Sequence, residues 1–209
     1  MTEINTPETE MKVAVVIGYN KQDSFCYSGI VGTILETLND NDVDYKLIDL
    51  FLDDFHPSGR ANVPELIESY QKTLTESTHH IYVSPCWWFR LTSMLEAFID
   101  IVMVPEFAYR FKHLFSVYGM PIPLLKHKRV LTFITHGGPF LAVTFFPYFN
   151  LVKWRLQFGV WSFMYGWFNG EIIQFFSVPF ISDAKRKKML DTTKKRIQKE
   201  IKRYQKKHK

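Results

Sequence analysis

Residues 12–18 read Lys-Val-Ala-Val-Val-Ile-Gly, a short run rich in β-branched side chains and closed by glycine. Every position after Lys12 is apolar or glycine, whereas a strand with one wet face alternates polar and apolar residues. That uniformity predicts a central strand of a parallel sheet covered on both sides. A polar loop from Tyr19 to Asp23 follows, and Ser24 stands where a side-chain oxygen caps a helix. Ile30, Val31, Ile34, Leu35 and Leu38 then recur at helical spacing.

Outward from this unit the same alternation repeats. Strands are predicted at 44–50 (DYKLIDL), 79–84 (HHIYVS, stopped by Pro85), 130–134 and 171–178 (EIIQFFSV). Helices are predicted over 64–74, opened by Pro64, and over 92–104, 148–165 and 183–204. Five strands alternating with helices call for an α/β fold, a doubly wound parallel sheet with helices on both faces. His79 and His80 are neighbours on one strand, so their side chains face opposite ways and cannot chelate one metal together.

The chain has 209 residues, enough for one good core, so one domain is expected over 12–182, with residues 183–209 as a basic helix packing on it or extending from it. Hydrophobic residues make up 46% and charged residues 22%, which excludes a disordered, collagen-like or multi-span membrane protein. Aromatic residues reach 16%, and fifteen of them crowd into 140–180. The net charge of +5 divides into −5 over residues 1–182 and +10 over residues 183–209. A nucleic-acid-binding fold carries cations on its body, so no nucleic-acid partner is expected. The tail admits two readings. It is a solvated helix docked by the narrow stripe Leu190, Lys194, Ile197, Ile201 and Tyr204, which is favoured, or a weak contact with an anionic membrane surface.

Cys26 and Cys86 are too few for a disulfide framework or a zinc site, and no metal is expected. Residues 1–11 are polar and acidic, unlike a secretory or mitochondrial signal, so a cytoplasmic location is expected. Residues 130–152 carry no Asp, Glu, Lys or Arg, but His136, Gly137, Gly138, Pro139, Pro147 and Asn150 break them as a membrane span.

In a doubly wound sheet the ligand lies beyond the carboxyl ends of the strands, where the winding reverses. This selects the loops after the first, third and fourth predicted strands. The first, residues 18–26, brings backbone N–H groups to a helix start, a setting that favours a phosphate, with Ser24 as a plain helix cap the alternative. It lacks the GxxxxGK[ST] and GxGxxG patterns. The second, Pro85-Cys-Trp-Trp-Phe-Arg-Leu91, sets three aromatics in a row directly after a strand, where a flat apolar ligand would cover them. The third, Thr135-His-Gly-Gly-Pro139, lets backbone approach a ligand closely and offers His136 as the candidate proton donor.

Together these segments resemble the flavodoxin-like NAD(P)H:quinone oxidoreductase family, which includes quinone reductases, drug-activity modulators and ancillary subunits of potassium-efflux systems. The resemblance rests on Pro85-Cys-Trp-Trp-Phe-Arg-Leu with the helix after it and Glu106-Phe-Ala-Tyr109, on Asp23-Ser-Phe-Cys26, and on Thr135-His-Gly-Gly138. It implies strand order 2-1-3-4-5 and a bound flavin, FMN or nearly equally FAD. Ser24, Phe25 and Cys26 would hold the phosphate and ribityl chain, with Tyr19 where the family has histidine. Pro85, Cys86, Trp87, Trp88 and Phe89 would line the isoalloxazine, and Thr135, His136, Gly137 and Gly138 its pyrimidine side. Phe107, Tyr109 and Tyr148 are the candidate walls for a small electron acceptor. The resemblance further implies ping-pong hydride transfer from NAD(P)H to a quinone, and a homodimer. A non-catalytic regulatory subunit of a membrane transporter and an electron-transfer flavodoxin stay open as alternatives. Two further departures from the family pattern are Thr92, in place of proline, and Glu96, in place of lysine.

Overall fold

The computed structural model describes residues 10–58, 62–115, 118–145 and 148–208. The acidic residues 1–9, together with Pro147 and Lys209, lie outside the described residues. Five parallel strands, β1 (Lys12–Ile17), β2 (Asp44–Asp49), β3 (His79–Pro85), β6 (Arg129–Thr135) and β7 (Gly170–Phe175), form one sheet in the order β2-β1-β3-β6-β7. This is the expected 2-1-3-4-5 winding once a separate hairpin, β4 (Tyr109–Phe115) and β5 (Tyr118–Pro123), is set aside.

The period of two in β1 explains how both faces are covered. Val13, Val15 and Ile17 pack with Ile30, Ile34 and Leu38 of the first helical layer and with Ile197 and Ile201 of the last helix. Ala14 and Val16 pack on the opposite face with Leu74, Phe98, Trp161 and Tyr165. The helices are α1 (Gly32–Asn39), α2 (Pro64–Glu76), α3 (Ser93–Val102), the short α4 (Phe140–Thr144), α5 (Leu151–Trp154), α6 (Ser162–Tyr165) and α7 (Asp183–Lys207). A π-helical stretch, Phe25–Val31, leads into α1, and another, Arg155–Trp161, joins α5 to α6.

Most boundaries shift by one to three residues, and three differences are larger or have a clear physical cause. The helix expected from 148 begins at Leu151, because Phe149 and Asn150 take left-handed backbone (φ 42° and 53°). The strand expected to reach 178 stops at Phe175, and Ser177 turns the chain with φ 57°. The β4/β5 hairpin was not anticipated, because Pro121 and Pro123 argue against a strand. Two residues apart, both prolines leave their missing N–H on the same side. Leu124 N–H donates to Ala108 O at 3.0 Å on the paired side, so the prolines face the open edge of a two-stranded ribbon.

The basic tail docks. Thr193, Ile197, Glu200 and Ile201 of α7 are buried, and Arg129 at the start of β6 grips the Glu200 carboxylate with two bonds of 3.1 Å. His79, on the same side, accepts or donates at Nδ1 to Thr78 Oγ1 at 2.9 Å and packs edge-on against Tyr204 at 5.7 Å. His80 points the other way. Its Nε2–H donates to Leu74 O at 2.8 Å, which leaves Nδ1 to accept from Tyr165 Oη at 2.6 Å, and Tyr82 Oη lies 3.0 Å from that hydroxyl.

Both imidazoles are held neutral. Burial, with nearby Arg129 for His79 and nearby Lys128 for His80, pushes each down to about 3. A histidine depressed in the fold protonates first in the unfolded chain, so its contribution is intact above pH 6.5 and is lost as pH falls toward 3. Unfolding free energy from urea melts should fall by up to about 1.4 kcal/mol per pH unit for each histidine across that window. A flat profile between pH 6.5 and 4.5 would contradict the neutral pair. For the tail, Ile197→Ala should cost about 2–4 kcal/mol, and truncation after Ala184 should destabilise the whole fold. An unchanged melting temperature in either would show that α7 does not hold the sheet.

Candidate functional site

The carboxyl ends of β1, β3 and β6 bring the three expected loops together. Gly18 follows β1, where a Cβ would come within 2.9 Å of Leu95 N and 3.1 Å of the Met94 Cβ, so only glycine lets this loop lie against the start of α3. Thr92 fastens the approach: its hydroxyl donates to Gly18 O at 2.7 Å and its N–H donates to Ser84 Oγ at 3.1 Å. A proline at this position could make neither bond. Glu96, the other departure, accepts from Leu91 N–H at 2.9 Å and pairs with Arg155.

Ser24 caps the helix as expected. Its Oγ accepts from Tyr27 N–H at 3.1 Å and its carbonyl from Ser28 N–H at 2.9 Å. Of the helix's first four N–H groups, those of Phe25 and Cys26 remain for a ligand. Cys26 is buried, and that burial pushes its thiol up to about 12, so it is a packing thiol and not a nucleophile.

The aromatic loop is a tight turn. Trp87 and Arg90 exchange two backbone bonds of 2.9 and 3.1 Å, and between them Trp88 (φ 51°) and Phe89 (φ 61°) both take left-handed backbone. That is the geometry of a mirror-image turn, which glycine and asparagine normally supply. Two aromatics held there cost about 1–3 kcal/mol each. Trp87 meets Tyr19 edge-on at 5.8 Å, Phe89 stacks on Tyr148 at 4.2 Å, and Trp88 stands 89% exposed.

His136 is buried, its ring stacked on Phe176 at 4.8 Å and its backbone N–H donating to Phe175 O at 2.7 Å. Gln174 and Asn150 form a reciprocal amide pair, both bonds 2.9 Å, and Gln174 Nε2 also lies 2.9 Å from His136 Nε2. With both amides so oriented, Nε2 accepts and the ring proton sits on Nδ1. No buried side-chain nitrogen or oxygen among the described residues lacks a partner, so Nδ1, with no protein partner, reaches solvent, and His136 lines the adjoining cleft. Burial pushes this imidazole down to about 4, so it is neutral near pH 7.

The cleft has a volume of about 460 Å³. Tyr19, Ser24, Phe25 and Cys26 line it from the first loop, Pro85, Cys86 and Trp87 from the second, and Thr135, His136 and Gly137 from the third. Trp88, Phe89 and Gly138 stand outside this lining. Phe107 and Tyr109 pack against the core and are not part of it, and Tyr148, stacked on Phe89, also stands outside the lining. Sequence reasoning missed Val178, Pro179 and Arg186. Arg186 donates to Val178 O at 3.3 and 3.4 Å and to Asp183 Oδ1 at 3.0 Å, which holds a cation on the wall. The available signal was positional, because a helix that follows the last strand begins at the ligand edge.

The chain is 24% identical over 178 residues to a Haemophilus influenzae protein named an uncharacterized NAD(P)H oxidoreductase, a match covering 81% of this chain and 85% of that one. It superposes on the NAD(P)H:quinone oxidoreductase of Methanothermobacter marburgensis with a TM-score of 0.69 at 12% identity, covering 90% of this chain and 96% of that one. It also superposes on an FMN-dependent NADH-azoreductase of Bacillus anthracis, solved with FMN, with a TM-score of 0.65 at 12% identity and coverage of 93% and 98%. At these identities the structural likeness is one of fold. The sequence profile of the Flavodoxin_2 family, described by its flavodoxin-like fold, matches residues 11–207, and this chain belongs to that family.

Proposed function

We propose that this chain is a flavin-dependent NAD(P)H oxidoreductase that reduces quinones or similar small acceptors. The observation that carries the reading is the division of labour in the cleft. Its lining combines anion-holding groups, the Phe25 and Cys26 N–H groups and the Arg186 guanidinium, with the aromatic rings of Tyr19 and Trp87, which meet edge-on at 5.8 Å. A flavin carries both complements, an anionic phosphate and a flat apolar ring. About 460 Å³ also lies within the ordinary range of ligand clefts. FMN is preferred over FAD. The named relatives, an NAD(P)H oxidoreductase and an FMN-dependent azoreductase, support the same class.

When bound, the flavin supplies the two-electron chemistry that relays hydride from a nicotinamide to the acceptor, by an alternating ping-pong sequence. The chain's own groups bind and orient. Ser24 holds the helix start open toward phosphate. A Cβ on Gly137 would meet nothing within 4 Å, so its backbone offers an unobstructed approach to the ring's pyrimidine edge. His136 contributes a neutral Nδ1–H donor there, with its tautomer fixed through Gln174 and Asn150. Trp87 covers the ring face from water, and Trp88, exposed at the next position of the turn, is the ring that a bound flavin would bring into contact.

The purified chain should bind one flavin per protomer and oxidise NAD(P)H with a quinone acceptor. Flavin absorbance with negligible turnover across a quinone panel would indicate a regulatory flavin-binding subunit, and a stable blue species on one-electron reduction an electron-transfer flavodoxin. Light scattering on the same sample reads the homodimer. Trp88→Ala should weaken flavin retention at least about tenfold with folding little changed. Trp88→Gly should lose flavin similarly yet raise the melting temperature of the apoprotein, because glycine relieves the left-handed backbone by about 1 kcal/mol. Unchanged flavin affinity in both variants would remove Trp88 from the site.

A further inference from the structure

The end of the sheet opposite the cleft carries a second surface. Between β6 and β7, at the strands' amino ends, the chain turns through Trp167 and Phe168, which are 59% and 92% exposed. Phe158 continues the aromatic ridge from Trp167, with ring centroids 5.6 Å apart, and Trp154 stacks on Phe158 at 5.2 Å. Cations surround this ridge. Lys153 Nζ sits over the Trp154 ring at 5.6 Å, and Asn169 in the turn donates to Lys126 O at 2.6 Å, which ties the exposed Lys126 to this turn. Arg129 bonds both Phe168 O (3.3 Å) and Glu200, so the last two turns of α7, with exposed Lys202, Lys206 and Lys207, lie alongside.

The segment that builds the ridge is one-sided in charge. Residues 107–170 contain seven Lys and Arg and no Asp or Glu. Of the acids at this end, Glu171 pairs with Arg196 at 2.9 Å and Glu200 with Arg129 at 3.1 Å, while Glu10 sits on the far side of α7, where its carbonyl accepts from Tyr204 Oη at 3.1 Å. An aromatic tip ringed by cations therefore faces outward, and its chemistry selects what can cover it. A second copy meeting this face by two-fold symmetry would set the same cations against one another. A nucleic-acid strand tracks a charged groove, whereas Phe168 projects. An anionic bilayer accepts both features at once, aromatic rings at head-group level and lysines against lipid phosphates.

We propose that Trp167 and Phe168, with Lys126, Lys202, Lys206 and Lys207, form a docking surface for an anionic lipid membrane. Binding is peripheral: no helix of the described residues is long and apolar enough to cross a bilayer. The α7 helix docks on the sheet through its own apolar stripe, so only its far end is offered to lipid. The cleft lies at the other end of the strands, about 20 Å away for a seven-residue strand. Docking thus leaves the cleft open to water-soluble ligands.

The test is co-sedimentation of the full chain with phosphatidylcholine vesicles, with and without about 30% phosphatidylglycerol, at low and high salt. Binding to the anionic vesicles alone, released by salt, is expected. A Trp167→Ser/Phe168→Ser variant and a Lys202→Glu/Lys206→Glu/Lys207→Glu variant should each lower partitioning at least about tenfold with melting temperature unchanged. Trp167→Phe should remove the blue shift of tryptophan emission seen on binding. Equal binding of wild type and both variants, or no binding to either vesicle, overturns the proposal. So does a serine variant that turns a dimer into a monomer by light scattering, which would assign the ridge to a second copy, or retention on an oligonucleotide without vesicle binding.

Discussion

A parallel strand cannot leave one face to water, because each crossover connection lays a helix over the sheet and both faces end up covered. The rest of this molecule depends on meeting that condition. β3 is buried at every position from His79 to Pro85, polar residues included. The polar ones must therefore find partners inside, and they do. His79 faces Thr78 and the α7 side, while His80 is satisfied by Leu74 O and the Tyr165 hydroxyl. The buried Glu200 of α7 is met by Arg129 with two bonds, and Arg203 lies 4.0 Å from it. These contacts join the closing helix and the aromatic helix to the centre of the sheet, one on each face.

The same constraint makes the cleft. Strands that all point one way deliver their following loops to one edge, and the winding reversal between β2-β1 and β3-β6 leaves room there. What keeps the edge in shape is a set of short ties between loops. Thr92 links the first loop to the second, Cys86 N–H donates to Thr135 O at 2.8 Å, and Val178 N–H donates to His136 O at 3.0 Å. Against this fixed frame the Trp88-Phe89 turn stands out as stored strain. Backbone of that kind persists where the surroundings over-determine it.

The aromatic block divides between two roles. Trp161, stacked on Tyr82 at 4.7 Å with its Nε1–H donating to Thr132 Oγ1 at 3.0 Å, and Tyr165, bonded to His80, are core. Trp154, Phe158, Trp167 and Phe168 face outward. A helix apolar on both sides needs cover on both sides, and the sheet supplies only one.

How much of this was legible in the sequence follows from the range of the interactions involved. Uniform apolarity at 12–18, the strand and helix alternation and the Ser24 cap are local signals, and they determined the five-stranded doubly wound sheet, its ligand edge and the three loops that reach it. The β4/β5 hairpin escaped because Pro121 and Pro123 are unfavourable in a strand except on an open edge, and being an edge is a tertiary property. Arg186 escaped because its sequence neighbours made it one charge in a basic tail, while the return of α7 to the strand ends put it on the cleft wall. The Trp88-Phe89 backbone and the division of the aromatic block into core and surface were likewise decided by tertiary packing. Residue type sets how apolar a side chain is, but which side of a helix meets the sheet is fixed only when the helix is laid upon it.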